Sequence, residues 1–132
     1  MYRKNVEELI PLVMKHMTEM FYDENHNIKK KFKSNKTNKI KKEYNGYFSS
    51  FGPSVITAGL KQTVLFYADK DLSNDKKHVV DLLEKVLKEK KWLESTLEGE
   101  VNNKKYNPLL KDRVLEIISA SKLCIRTLDL ED

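Results

Sequence analysis

The chain has 132 residues and a net charge of +5, and 39% of its residues are hydrophobic while 34% are charged. This length allows one domain with a substantial core, and the apolar content is too high for an intrinsically disordered chain. Four glycines and three prolines are too few for the many turns of a β-sandwich or barrel. The single cysteine excludes an internal disulfide and a multi-cysteine zinc site. We therefore expect a single domain over 1–132.

The first predicted helix covers about 5–23. Asn5 can accept a hydrogen bond at its start as an N-cap, and an apolar stripe with helical spacing follows. Pro11 either kinks this helix or delays its regular part, because proline cannot donate a backbone hydrogen bond. An irregular, lysine-rich connection is predicted next, over about 24–39.

A short second helix is predicted over 39–52 and a third, central helix over 53–70, with Gly52 and Pro53 at the boundary. Gly59 falls within the apolar face of the third helix, where glycine lowers helix stability by about 1 kcal/mol relative to alanine. The close approach of a neighbouring helix would explain a glycine at this position. We therefore predict that the other helices pack against 53–70.

The clearest helical periodicity lies over 75–97, and Gly99 is placed to end that helix. Trp92 is expected to pack against the core or another helix rather than to stack on a nucleic-acid base. After a polar loop, a last helix is predicted over 108–128, and the acidic segment 129–132 is expected to fray. Five helices and no convincing strand predict an all-α bundle.

Most of the positive charge lies in residues 29–42, which read KKKFKSNKTNKIKK. This stretch has eight lysines and no acidic residue, so the other 17 basic and 20 acidic residues give the rest of the chain a net charge of −3. Such blocks often contact polyanions, although a solvated loop is an equally good interpretation of the block alone. Because lysine is a point charge, these contacts would be to phosphates and without sequence specificity.

No set of residues indicates catalysis or metal binding. His16, His26 and His78 lie in separate segments, without partners at metal-ligand spacing. Cys124 lies on the apolar side of the last predicted helix, and we expect a small buried hydrophobic residue rather than a nucleophile. Neither of the glycine-rich phosphate-binding motifs occurs. We therefore expect a protein that is not an enzyme and that binds no metal or cofactor.

The N-terminal residues MYRKNVEELIPLVMKHM contain no uninterrupted apolar run of signal-peptide length. No other segment approaches the length and apolarity of a membrane span. These features favour a soluble protein located in the cytoplasm.

Residues 43–70 read EYNGYFSSFGPSVITAGLKQTVLFYADK. Three short matches stand out within them: Asn45-Gly46, FGPSVI at 51–56 and GLKQTVLF at 59–66. This pattern resembles the small helical subunit of the type III-B CRISPR effector, the Cmr complex. The chain length and the predicted helical fold agree with the same family.

The resemblance implies a non-catalytic subunit of an antiviral ribonucleoprotein. In that family, copies of the small subunit stack head to tail into a minor filament, which lines the groove for guide RNA paired with target RNA, while a different subunit cuts the target. The implied partners are guide RNA, target RNA, other effector subunits and copies of this chain. The residues expected to face nucleic acid are basic ones: Lys36, Lys39, Lys41, Lys42, Lys61, Lys122 and Arg126.

Two alternatives remain open from the sequence. The pattern also allows the small subunit of the related type III-A effector. A helical protein-interaction adaptor without nucleic-acid binding, in which the lysines are merely solvated, is the other alternative.

Overall fold

The computed structural model describes residues 2–69, 71 and 75–132. Six α-helices follow one another along them: α1 Tyr2–Phe21, α2 Glu43–Ala58, α3 Leu60–Ala68, α4 Lys77–Glu89, α5 Leu97–Asn102 and α6 Leu109–Ile125. One turn of 3-10 helix, Lys30–Phe32, lies between α1 and α2. The described residues form isolated β-bridges but no strand, and none of their helices is long and apolar enough to cross a membrane. The predicted all-α fold is confirmed.

One hydrophobic core joins all six helices. α6 packs most extensively against α1 and also contacts α2 and α4, whereas α3 lies against α2, α4 and α5. Each helix contributes a stripe of buried apolar side chains, and for α1 this stripe includes the fully buried Val13, Met17 and Phe21. α1 packs mainly against α6 and α4, and α4 contacts four other helices, so 53–70 is not the helix against which all the others pack.

The boundary between the second and third helices lies at Gly59 and not at Gly52-Pro53, as the sequence had predicted. α2 continues through Pro53 to Ala58, and Gly59 then adopts φ +92, a conformation that favours glycine. A β-carbon at Gly59 would meet no atom within 4 Å, so the predicted close approach of a helix there is also wrong. Gly52 is the glycine that faces a neighbour, since a β-carbon there would lie 3.7 Å from Ile118 Cγ2.

The long helix predicted over 75–97 is divided into α4 and α5. α4 ends at Glu89, and Lys91 adopts φ +61, which turns the chain out of the helix without a glycine. Gly99, which was predicted to end that helix, lies in the first turn of α5. Its N–H donates a hydrogen bond to Thr96 Oγ1 over 3.0 Å, so Thr96 is the N-cap of α5.

The ends of the first and last helices agree with prediction to different degrees. α1 begins before Asn5, so Asn5 does not cap it and instead donates through Nδ2 to Glu116 Oε2 of α6, 2.7 Å away. Pro11 lies inside α1, which continues past it without interruption. At the start of α6, the Leu109 N–H donates to Asn107 Oδ1 over 2.9 Å, as expected of a residue near a helix start.

Candidate nucleic-acid interface

Two buried side chains hold the lysine-rich segment 29–42 against the core. Phe32 and Ile40 are fully buried. The Phe32 ring packs edge-to-face against Phe21, Tyr44 and His78, with ring centroids 4.8 to 5.4 Å apart. The predicted connection over 24–39 is therefore irregular, as expected, but it is anchored by its apolar residues.

Four of the seven predicted basic residues come together around one open depression, which we call the basic depression. These residues are Lys36, Lys39, Lys41 and Lys42. Lys36 and Lys42 are exposed, and the other two are half-buried. Because a charged ammonium group is rarely buried without a partner, the anchored backbone leaves these side chains at the surface.

Three acidic residues share the lining of the basic depression: Glu43, Glu131 and Asp132. They reduce the formal charge of its lining from +4 to +1. Lys41 is also paired with an acid outside the lining, since its Nζ lies 3.8 Å from Asp75 Oδ2. Sequence reasoning missed these acids because two of them come from a part of the chain about 90 residues away from the lysines.

Glu131 accepts several hydrogen bonds inside the basic depression. Ser34 Oγ donates to Glu131 Oε2 over 2.6 Å, and Thr37 Oγ1 donates to the same oxygen over 3.1 Å. The bond from Ser34 is the main cause that holds the pKa of Glu131 below its ordinary value, and the Thr37 hydroxyl and the Lys42 backbone act in the same direction. Glu131 is therefore held as a carboxylate.

The acidic segment 129–132 is attached to the lysine-rich segment, so its predicted fraying is wrong. Ile40 N–H donates to Asp129 O and Glu131 N–H donates to Ile40 O, both over 2.9 Å. Between these bonds, Leu130 forms a parallel bridge with Ile40 and packs against the core. The sequence signal that could have predicted this attachment is Leu130, an apolar residue between acids whose charge is opposite to that of the lysine block.

Lys122 and Arg126 line a second depression, the α1–α6 patch, together with Tyr2, Arg3 and Leu123. Tyr2 carries a hydroxyl that is hydrogen-bonded to α6 and thereby joins the two helices. Tyr2 is 53% exposed and Leu123 is 49% exposed, so the patch is apolar as well as basic. Arg3 is a basic residue of this patch that sequence reasoning did not select.

Lys61, the seventh predicted residue, is exposed on α3 and lines neither depression. The seven residues therefore fall into three groups: four in the basic depression, two in the α1–α6 patch and one on α3. The structure brings the lysine block together on one surface, but it does not join all seven residues into one site.

Trp92 is half-buried and packs against the core, as predicted. Its ring lies 4.6 Å from Arg113 Cζ and 5.1 Å from Lys90 Nζ. Contacts of cations with an aromatic face are favourable by about 0.5–1 kcal/mol at exposed sites. Two cations therefore contact the ring, where a nucleic-acid base would otherwise stack.

His16, His78 and Cys124 take structural positions. His16 Nε2 lies 3.0 Å from Glu89 Oε1, and His78 Nδ1 lies 3.6 Å from Asp81 Oδ2. Among the described residues, no three His, Cys, Asp or Glu side chains come together as they would around a metal ion. Cys124 is buried, as predicted, and burial raises the pKa of its thiol, which makes it a poor nucleophile.

The described residues form a small helical protein of six packed helices, and basic side chains line two depressions on its surface. Residues 12–128, which are 117 of the 132, match the family described as CRISPR-associated protein (Cas_Cmr5). The chain therefore belongs to the Cas_Cmr5 family, the small subunits of the type III-B Cmr effector. Neither the comparison with curated proteins nor the comparison with solved structures gave a match.

Proposed function

We propose that this chain is a non-catalytic small subunit of a type III-B RNA-guided ribonucleoprotein and that its basic depression contacts the backbone of guide and target RNA. Membership of the Cas_Cmr5 family supports its place in a multi-subunit CRISPR effector. The observation that carries the RNA contact is the convergence of Lys36, Lys39, Lys41 and Lys42 on one open surface. In this role the protein would serve antiviral defence in the cytoplasm.

The chemistry of the basic depression fits phosphates better than bases. A lysine ammonium group is a compact charge and lacks the planar fork with which arginine reads guanine. Guide RNA paired with target RNA is an A-form duplex, whose deep major groove hides the base edges and whose backbone presents regularly spaced phosphates. Contacts to that backbone would accept any guide sequence, as an RNA-guided complex requires.

The anchoring of the lysine-rich segment favours such a contact. Phe32 and Ile40 hold its backbone in place, so less conformational freedom is lost when the lysines bind phosphates. A freely solvated loop with the same lysines would lose that freedom on binding and would bind more weakly.

The α1–α6 patch is proposed to make a second, weaker contact to the RNA backbone through Lys122 and Arg126. Its third cation, Arg3, is already paired, with its Nε 3.4 Å from Glu7 Oε1. Lys61 lies apart from both surfaces, and we expect it to contribute least.

We further propose that copies of this chain contact one another in the effector complex. Large apolar side chains stand exposed on α2 and α6, where Ile56 is 65%, Leu109 is 52% and Leu123 is 49% exposed. Covering such surface is favourable by about 25 cal/mol per Å². Sedimentation of the chain over a concentration series, compared with the variant Ile56→Asp, tests whether copies associate through α2.

Salt-dependent RNA binding tests the proposed contact. The four lysine contacts of the basic depression should contribute about −2.8 to the slope of log K against log salt for single-stranded RNA, which corresponds to about a 50-fold loss of affinity between 50 and 200 mM salt. Replacing the four lysines of the basic depression by glutamine should remove most of this dependence. Fluorescence anisotropy with a labelled RNA measures the slope.

A matched control replaces four exposed lysines that do not line the basic depression, namely Lys88, Lys104, Lys105 and Lys111. This variant loses the same charge, so it should keep a slope near that of the unmodified chain if the position of the lysines matters. Equal slopes in the two variants would show that only net charge is involved, and the proposed interface would be rejected.

A protein-interaction adaptor without nucleic-acid binding is the second candidate. The acids in the basic depression favour this adaptor role, because they leave the lining of the depression with a formal charge of only +1. In that case neither the unmodified chain nor the four-lysine variant would bind RNA, and both would bind other effector subunits equally well. Co-purification with type III-B rather than type III-A subunits separates the two effector types.

A further inference from the structure

We propose that Glu131 occupies a phosphate-binding site within the basic depression and must leave it when RNA binds, so that the acidic segment 129–132 is a built-in competitor of RNA. This inference rests on the proposed RNA contact and extends it to one anion site and to the regulation of that site.

The donors of this site already point at an anion. Ser34 Oγ and Thr37 Oγ1 both donate to Glu131 Oε2. Each hydroxyl also accepts a backbone N–H from two residues further on, Lys36 over 3.2 Å and Lys39 over 3.4 Å. Because each hydroxyl oxygen accepts from the backbone, its hydrogen is directed away from that N–H and towards the carboxylate. The local turns hold both donors in place independently of Glu131.

The site combines a buried hydroxyl donor, that of Ser34, with the lysines that line the basic depression, and this combination suits a phosphate oxygen. Ser34 is only 7% exposed, so its hydroxyl would lack a full water shell if the carboxylate left and nothing replaced it. The Lys42 backbone also acts to lower the pKa of Glu131, and the Lys42 side chain lines the same depression. Hydrogen bonds to an ionised oxygen are about twice as strong as neutral ones, and a phosphate oxygen accepts them as a carboxylate does.

The side chain of Glu131 can leave without detaching the acidic segment. The backbone of this segment is held by the two hydrogen bonds with Ile40, and Leu130 packs against the core. Neither of these contacts uses the Glu131 carboxylate. Rotation about the side-chain bonds of Glu131 therefore empties the site, and it raises the formal charge that the lining offers to RNA from +1 to +2.

Paired charge-removing variants test this competition. Glu131→Gln removes the charge that the hydroxyls hold, and Asp132→Asn removes an equal charge from an exposed position in the same depression. At 50 mM salt, we expect E131Q to bind labelled single-stranded RNA about tenfold more tightly than the unmodified chain, and D132N about twofold more tightly. Nuclear magnetic resonance shifts of the Ser34 and Thr37 amides on titration with inorganic phosphate should appear in E131Q at lower phosphate than in D132N.

Three results would overturn the inference. Equal gains in RNA affinity for E131Q and D132N would show that Glu131 acts only through its charge. A lower melting temperature of E131Q without a gain in affinity beyond that of D132N would show that Glu131 only fastens the acidic segment. Glu131→Ala, which removes the side chain altogether, should bind RNA at least as tightly as E131Q, and weaker binding by a folded E131A contradicts competition.

The outcomes separate this inference from the proposed function. If the unmodified chain binds RNA with the expected salt slope but E131Q gains no more than D132N, the RNA contact stands and the competition is rejected. If no variant binds RNA but E131Q alone takes up phosphate at Ser34 and Thr37, the anion site stands and the RNA contact is rejected.

Discussion

The two basic surfaces of this molecule are built in opposite ways. The basic depression takes its four lysines from one continuous stretch that has little regular structure and is held by Phe32 and Ile40. The α1–α6 patch takes its cations from α1, from α6 and from the residue that follows α6, at positions as far apart as Arg3 and Arg126. A run of charge in a sequence marks a candidate surface, but only packing shows which charges share it.

The surface with more lysines is not the surface with the higher net charge. Acids line the basic depression and leave it at +1, whereas the described lining of the α1–α6 patch has three cations and no acid, hence +3. Glu7 and Asp75, which pair with Arg3 and Lys41 from outside the linings, lower both values by one and leave the difference unchanged. Two of the three acids that lower the formal charge of the lysine-rich lining come from the acidic segment 129–132. Variants that change one surface and leave the other intact therefore test this comparison.

Phe32→Ala should have the largest effect, because it should release the lysine-rich segment of the basic depression and leave the α1–α6 patch intact. The ring is fully buried against three other rings, so its loss should lower the free energy of unfolding by about 3–5 kcal/mol and release the lysine-rich segment. Urea unfolding measures the loss, and hydrogen exchange shows where it falls. Phe66→Ala is the control, because Phe66 is 40% exposed and should cost about 1 kcal/mol or less. Similar losses for both variants would contradict the anchoring role of Phe32.

The double variant Lys122→Gln, Arg126→Gln tests the α1–α6 patch alone. The loss of two phosphate contacts should reduce the magnitude of the salt slope by about 1.4, half of the effect of the four-lysine variant of the basic depression. The same salt series measures both. A larger effect than that of the four-lysine variant would make the patch, with its higher net charge, the main RNA contact.

Acid should loosen the basic depression through Glu131. Its folded pKa is lowered, so its contribution to stability is complete above its unfolded value of about 4.3 and is lost as the pH falls through the lower folded value. Melting temperatures from pH 6 to pH 3 should therefore fall more for the unmodified chain than for E131Q. Glu89→Gln serves as a comparison variant outside the basic depression. The pKa of Glu89, on α4, is also lowered, by hydrogen bonds from Lys15 and then His16 of α1. Parallel pH profiles for the unmodified chain and E131Q would refute the prediction.

Lys61→Gln should have the smallest effect. Lys61 lines neither depression, so at most one phosphate contact is lost and the magnitude of the salt slope should fall by no more than about 0.7. The RNA titration that serves the other variants is the measurement. A change as large as that of the Lys122 and Arg126 double variant would show that α3 belongs to the interface.

Helical periodicity predicted the existence of α1, α4 and α6, because each buries one stripe along its whole length. It misplaced the boundary at Gly52-Pro53, since proline commonly starts a helix. Phe51 and Val55, on either side of this pair, are fully buried, and this packing keeps α2 helical through Pro53. The apolar spacing likewise continued past Glu89, and nothing local showed that the chain turns at Lys91.

The lysines of the candidate site were predictable, whereas their acidic partners were not. Eight lysines in 14 residues are visible in any reading of the chain, and four of them share one depression. Glu131 and Ser34 are 97 residues apart, and their hydrogen bond depends on the pairing of Leu130 with Ile40. Arg3 was missed for the same reason, because it reaches its patch only through the packing of α1 on α6.

The helical class, the family resemblance of residues 43–70 and the presence of a basic surface all follow from the sequence alone. Periodicity, residue matches and charge are properties of neighbouring residues, so they can be read along the chain. The position of Glu131 among the hydroxyls and lysines of the basic depression depends on tertiary packing, and so does the higher formal charge of the α1–α6 patch. The physical reason is that burial of Phe32, Ile40 and Leu130 brings distant segments together, and no local pattern contains that contact.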